Sequence, residues 1–211
     1  MACTIAGLYA ITDARWPRPV PLDEAVAAAL RGGARVIQYR DKSDDVDRRH
    51  REATALAAQC RAAGACFIVN DDVDLARAVD ADGVHTGRDD GDVRVIRAAL
   101  GPDRVLGVSC YGDLDRARAA VDAGADYLAF GSLYPSPTKP QAAVVPLSVF
   151  AAARAFTNRP LVGIGGINAT NIAEVTAAGA DAVAVVDAVS GAADIEAAAA
   201  DLVARGFGPR S

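Results

Sequence analysis

The sequence predicts an α/β fold, a single (β/α)8 TIM barrel of the phosphate-binding type over residues 1–211, and three observations carry that prediction. Short β-branched runs alternate strictly with longer alanine- and leucine-rich segments, the pattern of a parallel sheet with helical crossovers. The alternation runs through eight units in 211 residues, which matches the short end of the (β/α)8 range. One layout also recurs: GGARVIQY (32–39), AGACFIVN (63–70), AGADYLAF (123–130) and AGADAVAV (178–185) each place a glycine, a short turn and a strand in the same order. Glycine there suits the left-handed helix terminus that precedes entry into the barrel. An open doubly wound sheet is the alternative, but eight regular units without a dinucleotide fingerprint favour closure.

In chain order the expected strands are 8–12, 36–40, 66–70, 83–86, 105–109, 127–131, 161–165 and 182–186. Helical patterns lie between and after them at 22–32, 44–63, 72–79, 92–99, 113–123, 147–156, 169–178 and 192–205. Active sites of such barrels sit at the C-terminal ends of the strands. The first strand ends in Thr12 and Asp13, the second in Gln38, Arg40 and Lys42. The third delivers Asn70, Asp71 and Asp72, and the fourth His85, Arg88, Asp89 and Asp90. The fifth ends in Ser109 and Cys110, and the sixth leads to the proline-rich YPSPTKP at 134–140. The seventh offers Gly163, Gly165 and Gly166, and the eighth Asp187. Polar groups collect at one rim, while the opposite turns hold mainly glycine and alanine.

Bulk properties narrow the function. Hydrophobic residues make up 52% of the chain, enough for one sizeable core. A net charge of -5 argues against a nucleic-acid surface but permits a local cation cluster for a small anion. No apolar run approaches a membrane span, and MACTIAGLYAITD lacks the basic segment of a secretory leader, so a cytoplasmic enzyme is expected. Cys3, Cys60, Cys66 and Cys110 match no zinc spacing and read as buried reduced thiols. The sequence is compatible with a homo-oligomer and leaves the oligomeric state open.

The second strand is the most informative. Alternation sets Val36, Gln38 and Arg40 on one face of VIQYRDK (36–42) and Ile37 and Tyr39 on the other. An amide and a guanidinium on a buried strand make sense where that face looks into an anion-holding cavity. Arg40, Lys42 and Lys139 together suit a diphosphate, since arginine binds phosphate bidentately and lysine acts as a point charge. Either lysine alone would read as a solvated loop residue. Asp72 is placed to cap the third helix and Asp92 the fourth. That leaves Asp71, with Asp89 or Asp90, as carboxylates opposite the cations, the oxygen set that magnesium–diphosphate requires. The 163–168 turn, GIGGIN, precedes a helix after the seventh strand, where barrels commonly hold phosphate on backbone amides. His85 is expected to be structural and His50 solvated. No Ser/His/Asp or Cys/His order supports acyl transfer.

These residues resemble the thiamine-phosphate synthase family. The likeness rests on LYAITD (8–13), QYRDK (38–42), VNDD (69–72), ADGVHTGRDD (81–90), GVS (107–109), YPSPTK (134–139) and GIGGIN (163–168), and it runs through nearly the whole chain. The resemblance implies a transferase that joins an aminopyrimidine methylene diphosphate to a thiazole phosphate, or its carboxylated form. It implies dissociative loss of diphosphate with magnesium as cofactor. By the same resemblance Gln38, Tyr39, Arg40, Asp41 and Lys42 with Asn70 hold the pyrimidine diphosphate, and Asp71 and Asp90 bind the metal. Ser109 and Lys139 contact the pyrimidine or its diphosphate, and with Arg40 and Lys42 they form the implied catalytic set. Ser136, Pro137, Thr138, Gly166 and the backbone of Val186 and Asp187 receive the thiazole phosphate. Asp187 stands where the family more often has serine, and a carboxylate beside a phosphate is unfavourable, so only its amide carries over. Arg88 and Ser136 replace the usual glutamine and threonine, and both suit anions.

A thiazole tautomerase on the same barrel is the nearest rival, and it has no need of the diphosphate cradle formed by Arg40, Lys42, Asp71 and Asp90. A non-catalytic precursor-binding protein would not need the metal pair. A pentulose-phosphate epimerase would show metal-binding histidines, and the chain has two histidines in all.

Overall fold

A computed structural model describes residues 3–13, 20–135 and 143–208. Eight parallel strands close into a barrel in sequence order: β1 (Gly7–Ile11), β2 (Val36–Tyr39), β3 (Cys66–Asn70), β4 (Gly83–Thr86), β5 (Val105–Tyr111), β6 (Tyr127–Phe130), β7 (Leu161–Ile164) and β8 (Ala182–Val185). Closure is made by β1, which pairs with β2 through Tyr9 and Val36 and with β8 through Leu8 and Val183. The helices among the described residues are α1 (Leu22–Arg31), α2 (Val46–Ala63), α3 (Val73–Ala78), α4 (Val93–Leu100), α5 (Leu114–Asp122), α6 (Ser148–Arg154), α7 (Ile172–Ala177), α8 (Asp187–Ser190) and α9 (Ile195–Phe207).

Alternation along each strand divides the core in two. Leu8, Ile37, Phe67, Val84, Leu106, Leu128, Leu161 and Val183 face the helices. Tyr9, Ile11, Val36, Ile68, Tyr127, Val162 and Ala184 fill the barrel itself. Each fully buried aliphatic of this kind contributes about 1.5–3 kcal/mol. Five of the described helices start where a carboxylate accepts an end N–H: Asp45, Asp72, Asp92, Asp113 and Asp194 each cap a helix through the side chain. Such a cap is worth about 1 kcal/mol.

The recurring helix-to-strand turn has a physical basis at both of its special positions. Its glycine has positive φ, from +67° at Gly64 to +109° at Gly179, a conformation that costs a residue with a Cβ. Its aspartate serves the neighbouring strand. Asp126 accepts from Leu106 N at 2.9 Å, Asp181 from Leu161 N at 2.7 Å, and Asp82 of the looser copy from Phe67 N at 2.8 Å. The repeat therefore stabilises the barrel end remote from the strand C-termini.

Four departures from the sequence expectation have local causes. Strand β5 runs two residues further, to Tyr111, because an irregularity between Ser109 and Tyr111 inserts Cys110 against β6. Helix α7 begins at Ile172, not 169, since the side chains of Asn168 and Asn171 tie up the amides of Thr170 and Asn168. The last unit contains an extra four-residue helix, α8, ahead of α9. Finally, reduced thiols do not describe all four cysteines. Cys3 and Cys66 form a disulfide with a Cα–Cα distance of 5.2 Å, while Cys60 and Cys110 are free and buried. The pairing arises because the segment before β1 passes against the inner core at β3, a proximity with a sequence separation of 63 residues.

Candidate active site

The polar set on β2 divides as alternation predicts. Gln38 is 3% exposed inside the barrel and donates through Nε2 to the Tyr9 hydroxyl at 2.7 Å. Arg40, two residues on, donates through Nη1 to Asp13 at 2.8 Å, and its amide donates to Thr12 Oγ1 at 3.0 Å. The ends of β1 and β2 thus fix one another, and the guanidinium is held at the mouth. Tyr39 and Asp41 turn the other way. Tyr39 donates to Glu52 at 2.8 Å, and Asp41 accepts from Ser43 N and from Arg48 Nη2 at 2.8 and 2.5 Å. The Ser43 amide and the Arg48 guanidinium hold the Asp41 carboxyl below its usual range against the opposing effect of burial. Both side chains brace α2 on the outer face instead of facing the cavity.

Lys42 reaches across the loops after β3 and β4. Its ammonium pairs with Asp71 and lies 4.0 Å from Asp90. The lysine side chain is half exposed, whereas both carboxylates are mostly covered, so the cation forms the outer layer. Asp71 is held from three sides: Asn70 Nδ2 donates to its carboxylate at 2.6 Å, its amide donates to His85 O at 2.9 Å, and its φ is +64°. A non-glycine residue in that region persists only where its surroundings over-determine it. Asp90 folds back to accept from Gly87 N at 2.6 Å. Asp72 and Asp92 cap α3 and α4, accepting from Leu75 N and Arg94 N. They are occupied as the sequence predicts, which leaves Asp71 and Asp90 as the pair that Lys42 joins.

Ser109 lies between these loops on the inner face of β5. Its hydroxyl is 2.8 Å from His85 Nε2, and His85 Nδ1 is 2.9 Å from the Tyr127 hydroxyl. Tyr127 in turn lies 2.9 Å from the Tyr9 hydroxyl. Burial pushes the His85 imidazole down to about 4, with the Asp90 charge pulling the other way, so the ring is neutral at pH 7. His85 is thus a buried histidine with both ring nitrogens satisfied, in keeping with the structural expectation, and it joins Ser109 to a polar chain through the barrel. Sequence reading missed Tyr9, Tyr127 and this use of His85. The signal was the phase of alternation, which puts all three on the same inward face as Gln38 and Ser109.

Beyond the ends of β6 and β7 two loops pack backbone to backbone. Gly165 and Gly166 have φ of +100° and +67°, and a Cβ on either would run into Ser132 or into the carbonyls of Tyr134 and Pro135. Gly163 belongs to packing instead, since a Cβ there would meet Val175, Leu133 and Phe150 on the helix side. Ile164 pairs with Ala184, so Gly166 and Val186 leave adjacent strands at the same level. Asp187 then opens α8. Ser136, Pro137, Thr138 and Lys139 lie outside the described residues. Among the described residues, no three metal-ligating side chains gather, so a cation here would have Asp71 and Asp90 from the protein and other ligands from substrate or water.

Comparison with known proteins agrees with this geometry. The family model described as Thiamine monophosphate synthase matches residues 8–189. The thiamine-phosphate synthase of Halorhodospira halophila is 59% identical over 201 residues, covering 95% of this chain and 94% of the relative. That of Chromobacterium violaceum is 53% identical over 211 residues, covering 98% of each. Among solved structures, the thiamine phosphate pyrophosphorylase from Pyrococcus furiosus superimposes with a TM-score of 0.85 at 38% identity, over 93% of each chain.

Proposed function

Since the chain belongs to the thiamine monophosphate synthase family, and so is a transferase of thiamine biosynthesis, we propose that it joins an aminopyrimidine methylene diphosphate to a thiazole phosphate, giving thiamine phosphate and diphosphate. The observation that carries the reading is Lys42 held against Asp71 and Asp90 at the barrel mouth, with Arg40 beside it on the same strand end.

Loss of diphosphate from the pyrimidine methylene leaves a resonance-stabilised cation, which the thiazole nitrogen captures. Such a displacement needs stabilisation of the leaving charge and close placement of the partners more than it needs a strong base. Arg40 and Lys42 would supply positive charge, and the family resemblance assigns Lys139 the same task. Asp71 and Asp90 fit a hard divalent cation, being an oxygen-only pair on adjacent loops that already holds one positive charge. When bound, magnesium would act as a Lewis acid on diphosphate oxygens. Lys42, freed from the carboxylates, would then turn to the diphosphate.

Gln38, Asn70 and Ser109 would orient the pyrimidine. Tyr39 and Asp41 would act through α2, keeping the β2 end in place. Gly166 with the Val186 and Asp187 amides would receive the thiazole phosphate, helped by Ser136, Pro137 and Thr138. Both substrates carry several charges and do not cross a bilayer unaided, which supports a cytoplasmic location. The test is incubation of the pure protein with both substrates and magnesium. Thiamine phosphate should form in amounts equal to the diphosphate released; folded protein that forms none contradicts the reading.

A further inference from the structure

The inside of a barrel is ordinarily aliphatic, and Ile5, Ile11, Val36, Ile68 and Val162 keep to that rule here. Two tyrosine hydroxyls and a glutamine amide among them would each cost free energy if left unpaired. They are paired in one unbranched series of contacts: Gln38 to Tyr9 at 2.7 Å, Tyr9 to Tyr127 at 2.9 Å, Tyr127 to His85 at 2.9 Å, and His85 to Ser109 at 2.8 Å. Five strands contribute one residue each. Space for it is reserved, because Gly107 sits opposite Tyr127 in the β5–β6 register, where a Cβ would come within 2.0 Å of the tyrosine ring. Phenylalanine at positions 9 and 127 would leave the Gln38 amide and His85 Nδ1 without these partners, so the two hydroxyls tie Gln38 to His85.

Counting hydrogens gives the series a direction. Gln38 Nε2 donates to the Tyr9 oxygen, which leaves the single hydroxyl proton of Tyr9 for Tyr127. An arrangement in which every hydroxyl proton meets an acceptor then runs from Tyr127 to His85 Nδ1, which would place the one proton of a neutral imidazole on Nε2, toward Ser109 Oγ. Ser109 accepts from within the barrel, and its own proton is left to point outward. The far end of the series is also fastened to the rim, since the His85 carbonyl accepts from the Asp71 amide at 2.9 Å.

We propose that Tyr9 and Tyr127 are positioning residues of the reaction: with Gln38 they hold His85 in the Nε2–H tautomer, so that Ser109 presents its hydroxyl proton to an acceptor atom of the pyrimidine substrate. The proposal rests on the assignment of Ser109 to the substrate site. It adds a task for two buried tyrosines that the functional reading leaves without one.

The test uses the full chain labelled with 15N-histidine. It has two histidines, His50 on α2 and His85, and the spectrum of His50→Gln assigns them. In the wild type at pH 7, His85 should show a protonated Nε2 and a bare Nδ1. Tyr127→Phe should convert it to a tautomer mixture and lower kcat about tenfold, with KM for the diphosphate substrate changed less than about twofold. Wild-type His85 carrying its proton on Nδ1 would overturn the proposal, and this measurement needs no variant to fold. So would a Tyr127→Phe enzyme with unchanged tautomer or unchanged kcat. A wild-type protein that makes no thiamine phosphate would remove the functional reading instead, leaving the tautomer measurement to stand or fall alone.

Discussion

Arg40 and His85 show how differently single residues disclose themselves. A guanidinium on an inward-facing strand position is unusual, so Arg40 was legible as a polar residue at the barrel mouth. Its partner Asp13 was not, because the pairing depends on the register of β1 against β2. His85 looked structural because a lone histidine in an apolar run is ordinarily that. Its contacts come from residues 24 and 42 positions away, which no local pattern relates to it. Its titration is a direct check on burial. The folded protein disfavours the charged ring, so its pKa falls to about 4 from 6.5. Because the unfolded chain binds the proton more readily, stability is fully present above about pH 6.5 and is lost as pH falls toward 4. The contribution at stake is about 1–3 kcal/mol. An NMR titration should show the His85 ring signals flat between pH 5.5 and 8. A midpoint near 6.5 would mean the ring is solvated and the interior chain is open.

Among the elements, strands were the most legible part of the chain. Their bounds fall within a residue or two of the sequence expectation, because β-branched runs bounded by glycine and aspartate leave little choice. Helix starts were harder, since Asn168 and Asn171 compete for the amides that α7 would otherwise take up. The bulge at Cys110 and the short helix α8 have no signal in periodicity at all. The least visible element property was the fit between β5 and β6. Gly107 has no turn to make and no positive φ, yet the Tyr127 ring occupies the place of its side chain. Gly107→Ala should therefore cost about 1–3 kcal/mol by forcing the ring aside. The measurement is the urea midpoint, together with a loss of turnover that a Tyr127→Phe background already shows in part. A midpoint within experimental error of the wild type would mean the strand pair yields freely there.

For the molecule as a whole, the barrel separates stability from chemistry. One end carries the glycine and aspartate turns that tie strand to strand, and the Cys3–Cys66 disulfide links the pre-β1 segment to β3. The other end carries Arg40, Lys42, Asp71, Asp90 and Ser109. The sequence made this polarity readable, because rim residues follow strands and glycines precede them. It could not reveal the disulfide, which exists only once the barrel has brought distant segments together. The central claim is that Lys42, Asp71 and Asp90 form the metal–diphosphate site, and one measurement tests it most directly. Diphosphate and thiamine phosphate release are followed as magnesium is titrated into the wild type and into Asp71→Ala, with circular dichroism and the urea midpoint confirming the variant's fold. The wild type should depend on magnesium, and a folded Asp71→Ala should lose that dependence with a fall in turnover of about 100-fold or more. Near-normal, magnesium-dependent turnover in Asp71→Ala would contradict it.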